Sequence, residues 1–157
     1  MVWVRWRHVG QWILVLGILG GSGCRLAREE PPPRTFNVYQ NWALGPGDNL
    51  AGYRVHSGLG DVAIDLEGGR LYMPFNGQVQ RAAGYGDRCL VVSSPDVPAY
   101  LFRLCGVTQQ RTGHHRTGEV IGRGFIVAFA TMRRQADGTW AMVEPAQDFI
   151  AQFLHEP

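Results

Sequence analysis

"GLGDVAIDLEGGRLYMPFNGQVQRAAGYG", residues 58–86, decides the fold. Apolar residues alternate with polar ones in "DVAID", again in "RLYM", and again in "QVQRAA". A period of two sends successive side chains to opposite faces of an extended strand. Between the runs stand Pro74, Asn76 and Gly77, residues that favour turns, so the stretch is expected to reverse the chain at "MPFNG". Gly84 and Gly86 are expected to relax the backbone where strands cross.

The same rhythm extends outward. Strands are expected near 51–57, 61–66, 70–75, 77–83, 88–94, 99–107, 119–124, 125–134 and 139–144, with glycine-rich turns between them. Short strands at regular spacing argue for an all-β sandwich or barrel. "RRQADGTWAM" reads as a hairpin in which Asp137 and Gly138 supply the positive-φ turn positions. Only the C-terminus reads as helix. There Pro145 suits a first helical position, Glu144 and Asp148 suit the positive end of the dipole, and Phe149, Ile150, Phe153 and Leu154 form one apolar face. That face is expected to pack on the β domain.

The first residues have a different character. "MVWVRWRHVGQWILVLGILGGSGC" runs from a basic start through an apolar stretch, Val9 to Leu19, into small residues, which is the layout of an export signal. The apolar stretch falls short of the ~20 residues of a membrane-spanning helix. Gly21, Ser22 and Gly23 before Cys24 resemble a bacterial lipobox, with glycine where that motif prefers leucine at position 21. The resemblance implies lipidation of Cys24; ordinary secretion is the alternative. Residues 24–38, with three consecutive prolines, read as an extended tether, leaving 39–157 as the folded domain.

Charge excludes one class of function. The chain has fifteen basic residues, all arginine, and thirteen acids. Removing residues 1–23 takes Arg5 and Arg7 and leaves the mature chain balanced, so no basic surface supports nucleic-acid binding. The absence of lysine excludes a lipoyl or biotinyl carrier, whose swinging arm is built on that residue. None of the serines at 22, 57, 93 and 94 lies in a G-x-S-x-G nucleophile elbow. Export would place Cys89 and Cys105 in an oxidising compartment. A hairpin centred near Val97 would set them opposite each other, either bridged or as two buried thiols.

"RLYMPFNGQVQRAAGYGDRCLVV" and "HRTGEVIGRG" together resemble the repeated elements of the lysostaphin-like (LytM-type) zinc endopeptidases. The resemblance spans roughly residues 58–130 and implies a barrel-sandwich hybrid, the duplicated hybrid motif, with a short C-terminal helix. It also implies where zinc ligands would stand. In that family they come from H-x-x-x-D near the start and H-x-H near the end, with a further histidine in Y-x-H-L.

Laid on this chain, Asp61 takes the first histidine's place, Asp65 keeps the aspartate, and "LFRL" puts Arg103 where the third motif has histidine. No H-x-H occurs. Catalytic zinc needs three protein ligands and an open position for water, and a guanidinium cannot deprotonate to serve as a ligand. His56, five residues before Asp61, would face away from it on a single strand. His114 and His115 read as a solvated loop pair.

The expectation is therefore a catalytically inactive LytM-like domain with no metal or cofactor. Asp61, Asp65 and Arg103 would line the former cleft. The domain would be exported and held by lipid at a bacterial envelope membrane, where it would bind or regulate another envelope protein or peptidoglycan. A zinc endopeptidase with rearranged ligands and a structural adaptor of a membrane complex are the alternatives.

Overall fold

A computed structural model describes residues 41–156. Within them lie β1 (Asn49–Leu50), β2 (Tyr53–Ser57), β3 (Val62–Asp65), β4 (Arg70–Tyr72), β5 (Gly77–Arg81) and β6 (Cys89–Ser93). They are followed by β7 (Tyr100–Cys105), β8 (Gly113–His115), β9 (Val120–Arg123), β10 (Ile126–Arg134), β11 (Trp140–Val143) and α1 (Gln147–Leu154). Nine strands make one antiparallel sheet in the order β1, β2, β3, β10, β7, β6, β5, β8, with β11 also paired to β10. β4 and β9 form a second, two-stranded sheet. The chain is thus all-β with a short C-terminal helix, as the strand rhythm implies.

Alternation divides the large sheet into two faces. Val55, Val62, Ile64, Val79, Leu90, Val92, Phe102, Leu104, Val127 and Phe129 project to one side and are buried. Leu71 of β4, Ile121 of β9 and Met73 join them in one apolar cluster. The helix closes that cluster with Ile150, Phe153 and Leu154. Phe153 sits 5.5 Å from the Phe102 ring and 5.8 Å from the Phe129 ring, centroid to centroid. Phe149 meets Phe75, Phe102 and Tyr100 edge-on, an arrangement that aromatic quadrupoles favour.

Several local expectations are corrected. "MPFNG" does not reverse the chain within a sheet; it carries it from β4 in the small sheet to β5 in the large one. Asn76 anchors the crossing, accepting the Thr117 N–H on Oδ1 at 3.2 Å and the Ser94 hydroxyl on its carbonyl at 2.6 Å. Gly77 is required there by close approach and not by a positive φ, since a Cβ would stand 2.2 Å from the Ser93 carbonyl oxygen. Gly84 and Gly86 do take positive φ, but in the open β5–β6 loop and not at a strand crossing.

In the β10–β11 turn only Gly138 has positive φ. Asp137 contributes through its side chain, which accepts the Thr139 N–H and hydroxyl. Those bonds hold its pKa below the ordinary aspartate value. Pro145 precedes the helix cap, Ala146, instead of opening the helix. Glu144 likewise lies outside the first turn and accepts the Ala43 N–H at 2.6 Å.

Cys89 and Cys105 are directly paired across β6 and β7, which places the hairpin centre at Val97 as the sequence implies. They are bonded to each other, closing a loop with a sequence separation of 16. Cross-linking a loop of about that length contributes about 3 kcal/mol by restricting the unfolded chain. The double change Cys89→Ser with Cys105→Ser is expected to lose that amount. Urea unfolding of the variant, beside the parent with and without reductant, checks it; the variant should match the reduced parent.

Candidate functional site

The face of the sheet opposite the core carries the residues singled out in the sequence. Its lattice follows from strand register and alternation. One row across β6, β7 and β10 reads Val91, Arg103, Ala130. The next reads Cys89, Cys105, Ala128, and continues to Ala63 of β3. The middle of this face is therefore floored by alanine and the disulfide. Ala63, Ala130 and Cys89 are themselves buried, so the chemistry of this face comes from the larger side chains around them.

Asp61, immediately before β3, and Arg103, on β7, meet across β10. Their charged ends are 3.8 Å apart, with side chains 32% and 12% exposed respectively. Arg103 is also capped by the Tyr85 ring, whose centroid lies 4.4 Å from the guanidinium carbon. Such cation–π contacts strengthen as the cation loses water. A guanidinium held by a carboxylate on one side and an aromatic face on the other is fixed in place. Tyr85, the residue here that motif reading had not assigned to the site, reaches Arg103 from the β5–β6 loop. Only the "GYGD" turn marked that loop in the sequence.

Burial and the ion pair act on Asp61 in opposite directions. Desolvation is the larger effect and raises its pKa above the ordinary aspartate value, while Arg103 pulls it down by less. The 3.8 Å separation explains the balance, being longer than a charge-assisted hydrogen bond. The folded state therefore binds the Asp61 proton more tightly than the unfolded chain does. Stability from this group is present at acid pH, below the unfolded value, and is lost as pH rises through the raised folded value. Arg103→Met should raise the Asp61 midpoint further, as read by carboxyl carbon NMR; an unmoved midpoint would show the pair to be uncoupled.

Asp65 is not part of this pair. It lies on the same face by alternation, four residues along the strand and so about 13 Å away. It is paired by register with Arg54 and Ile126. With Arg54, His56, Val55, Pro46 and Gly47 it lines a separate hollow of about 290 Å³. The spacing of five between His56 and Asp61 does not set their relative facing. They stand on different segments, and a register shift between Val55 and Ser57 interrupts the alternation of β2 at His56.

His114 and His115 are not a loop pair; they form part of β8, at the far edge of the sheet from β3. His115 Nδ1 lies 2.9 Å from the Glu119 carboxylate and Nε2 lies 3.1 Å from the Arg111 carbonyl. Both ring nitrogens are thus engaged by protein acceptors. Hydrogen bonds from the Arg116 backbone and from His115 lower the Glu119 pKa. A hollow of about 670 Å³ lies here, between β8 and the β6–β7 turn. Its Asn76, Ser94, His115 and Glu119 groups are already bonded to protein atoms.

Zinc does not fit these residues. Among the described residues no three His, Cys, Asp or Glu side chains gather closely enough to hold a metal ion. A divalent ion on Asp61 would also face the fixed Arg103 charge. At about 5 Å and an effective dielectric of about 20 that repulsion is about 7 kcal/mol.

No family model matches the chain, and no curated protein matches it. A solved structure described under "Identification and structural characterization of LytU" aligns with 74% of this chain and 92% of that one, at 17% identity and a TM-score of 0.45. A likeness of that degree fixes neither activity nor ligand.

Proposed function

We propose that this chain is an exported envelope protein, tethered to a membrane through lipidated Cys24, whose LytM-like domain binds and does no chemistry. The Asp61–Arg103 pair under Tyr85 carries this reading. A cation occupies the position where a LytM-type peptidase would need a histidine, and its two neighbours hold it there.

The face around the pair suits contact with a polypeptide or a peptidoglycan stem. It has one charge pair and, over it, the exposed Tyr85 ring. Cys24 and the tether lie outside the described residues. The layout of residues 1–24 supports export, and the cysteine after small residues supports the anchor.

Two measurements test the proposal together. Metal analysis of the purified chain should find no stoichiometric zinc. Affinity capture from envelope membranes should retain a partner that Arg103→Glu with Tyr85→Ala releases, while the variant keeps its disulfide and its circular dichroism. Stoichiometric zinc lost on changing His56 or His114, or capture indifferent to the double change, overturns the reading.

A further inference from the structure

We infer that the hairpin of β10 and β11 is a docking surface for an anionic lipid bilayer, a second contact beside the Cys24 anchor and one that rests on the tethered reading above. Register places Met132 opposite Met142 and Arg134 opposite Trp140, in successive rows on one face of the hairpin. Met142 is 47% exposed and Trp140 41%. Arg134 is exposed on that face, while Arg133, in the intervening row with Ala141, is exposed on the other. Among the described residues neither arginine is in an ion pair. Asp137, the carboxylate of the turn, is folded back onto Thr139.

The combination fits a membrane surface. An indole sits well at the boundary between headgroups and acyl chains, with its ring in apolar surroundings and its N–H toward water. Methionine adapts to irregular apolar surroundings. The Arg134 side chain beside these residues is drawn to anionic headgroups, an attraction that falls with salt. The surface is a flat ribbon and not a pocket, which suits a bilayer better than a small ligand.

Where the described chain begins supports the same partner. The Ala43 and Leu44 N–H groups both reach the Glu144 carboxylate, at 2.6 and 3.4 Å. Glu144 directly follows the last residue of β11. The segment leading back to Cys24 thus leaves the domain beside this hairpin. Residues 24–40 can extend to at most about 60 Å, so a lipid on Cys24 keeps the hairpin within reach of the bilayer.

Trp140 is its own reporter. Trp3→Phe, Trp6→Phe, Trp12→Phe and Trp42→Phe in the full chain leave it the single tryptophan of the five. On vesicles containing phosphatidylglycerol its emission should shift to the blue, and brominated phospholipid should quench it about twofold. Vesicles of phosphatidylcholine alone should give neither change. Arg134→Glu should weaken the quenched state about fivefold, the loss expected of one basic side chain at an anionic surface, and Arg133→Glu on the opposite face should weaken it less.

Emission unshifted and unquenched on both vesicle types, with vesicle-bound chain verified by flotation, overturns the inference and assigns the hairpin to solvent or to a protein partner. Lipidation is read separately, from the mass of the fragment bearing Cys24. A chain without lipid whose Trp140 is still quenched fails the anchor and keeps the hairpin contact.

Discussion

Phe153→Ala is expected to destabilise the domain by about 4 kcal/mol, near the upper range for emptying a buried aromatic site. The side chain is 1% exposed and lies at the meeting point of the helix and the two central strands, against Phe102 of β7 and Phe129 of β10. The helix is only eight residues long and its cap, Ala146, offers no side-chain hydrogen bond. A helix that short does not persist alone in water, so its order comes from this packing. Loss of the ring should therefore loosen all of α1. Hydrogen exchange across 147–154 should quicken together with a drop in the urea midpoint. Unchanged exchange would mean that Ile150 and Leu154 suffice to hold the helix.

Gly106→Ala is the second, also at about 4 kcal/mol. Gly106 has φ of +91°, and a Cβ there would stand 2.2 Å from the Ile126 carbonyl oxygen. A side chain pays for the positive φ with about 1–2 kcal/mol, and displacing neighbouring backbone adds about 1–3 kcal/mol. The strain falls where the end of β7 touches the start of β10. Gly77→Ala should be damaging for a different reason, because its φ is ordinary and the Ser93 carbonyl, the Ser94 Cα and the Met73 methyl crowd the position. Thermal unfolding of the two variants separates these causes from a general intolerance of alanine. Gly84→Ala, with open space around it but φ of +80°, should lose only the conformational part.

Much of the architecture was legible in the sequence because alternation is a local signal. The residues that alternate in "DVAID", "CLVVS" and "YLFRLC" do so because one side of the sheet is core. The opposition of Cys89 and Cys105 followed from the symmetry of the β6–β7 hairpin about Val97, which left bridge and free thiols equally open until the bond was seen. What alternation could not supply is the partner of each strand. "MPFNG" carries the same turn residues whether it joins two strands of one sheet or passes between sheets, so its role was misread.

β8 was missed because Gly113, His114 and His115 have no apolar alternation; their order comes from pairing with β5. For the candidate site, the meeting of Asp61 with Arg103 requires β10 to lie between their strands. Nothing local in either segment encodes that. The family motif groups Asp65 with them, and the length of strand between Asp61 and Asp65 keeps it apart.

β10 has a consequence for how the chain reaches this state. It is near the C-terminal end of the sequence yet central in the sheet, pairing with β3, β7 and β11. Until β10 is present, β2 and β3 have no strand to join them to β6 and β7, and both of the newly bordered edges remain open. Long-range pairing of this kind carries a high loop-closure cost and folds late. A chain synthesised from its N-terminus would therefore stay unpaired in the middle of the sheet until β10 has emerged. That order of events leaves the two interior edges exposed to any chaperone that recognises unpaired strands.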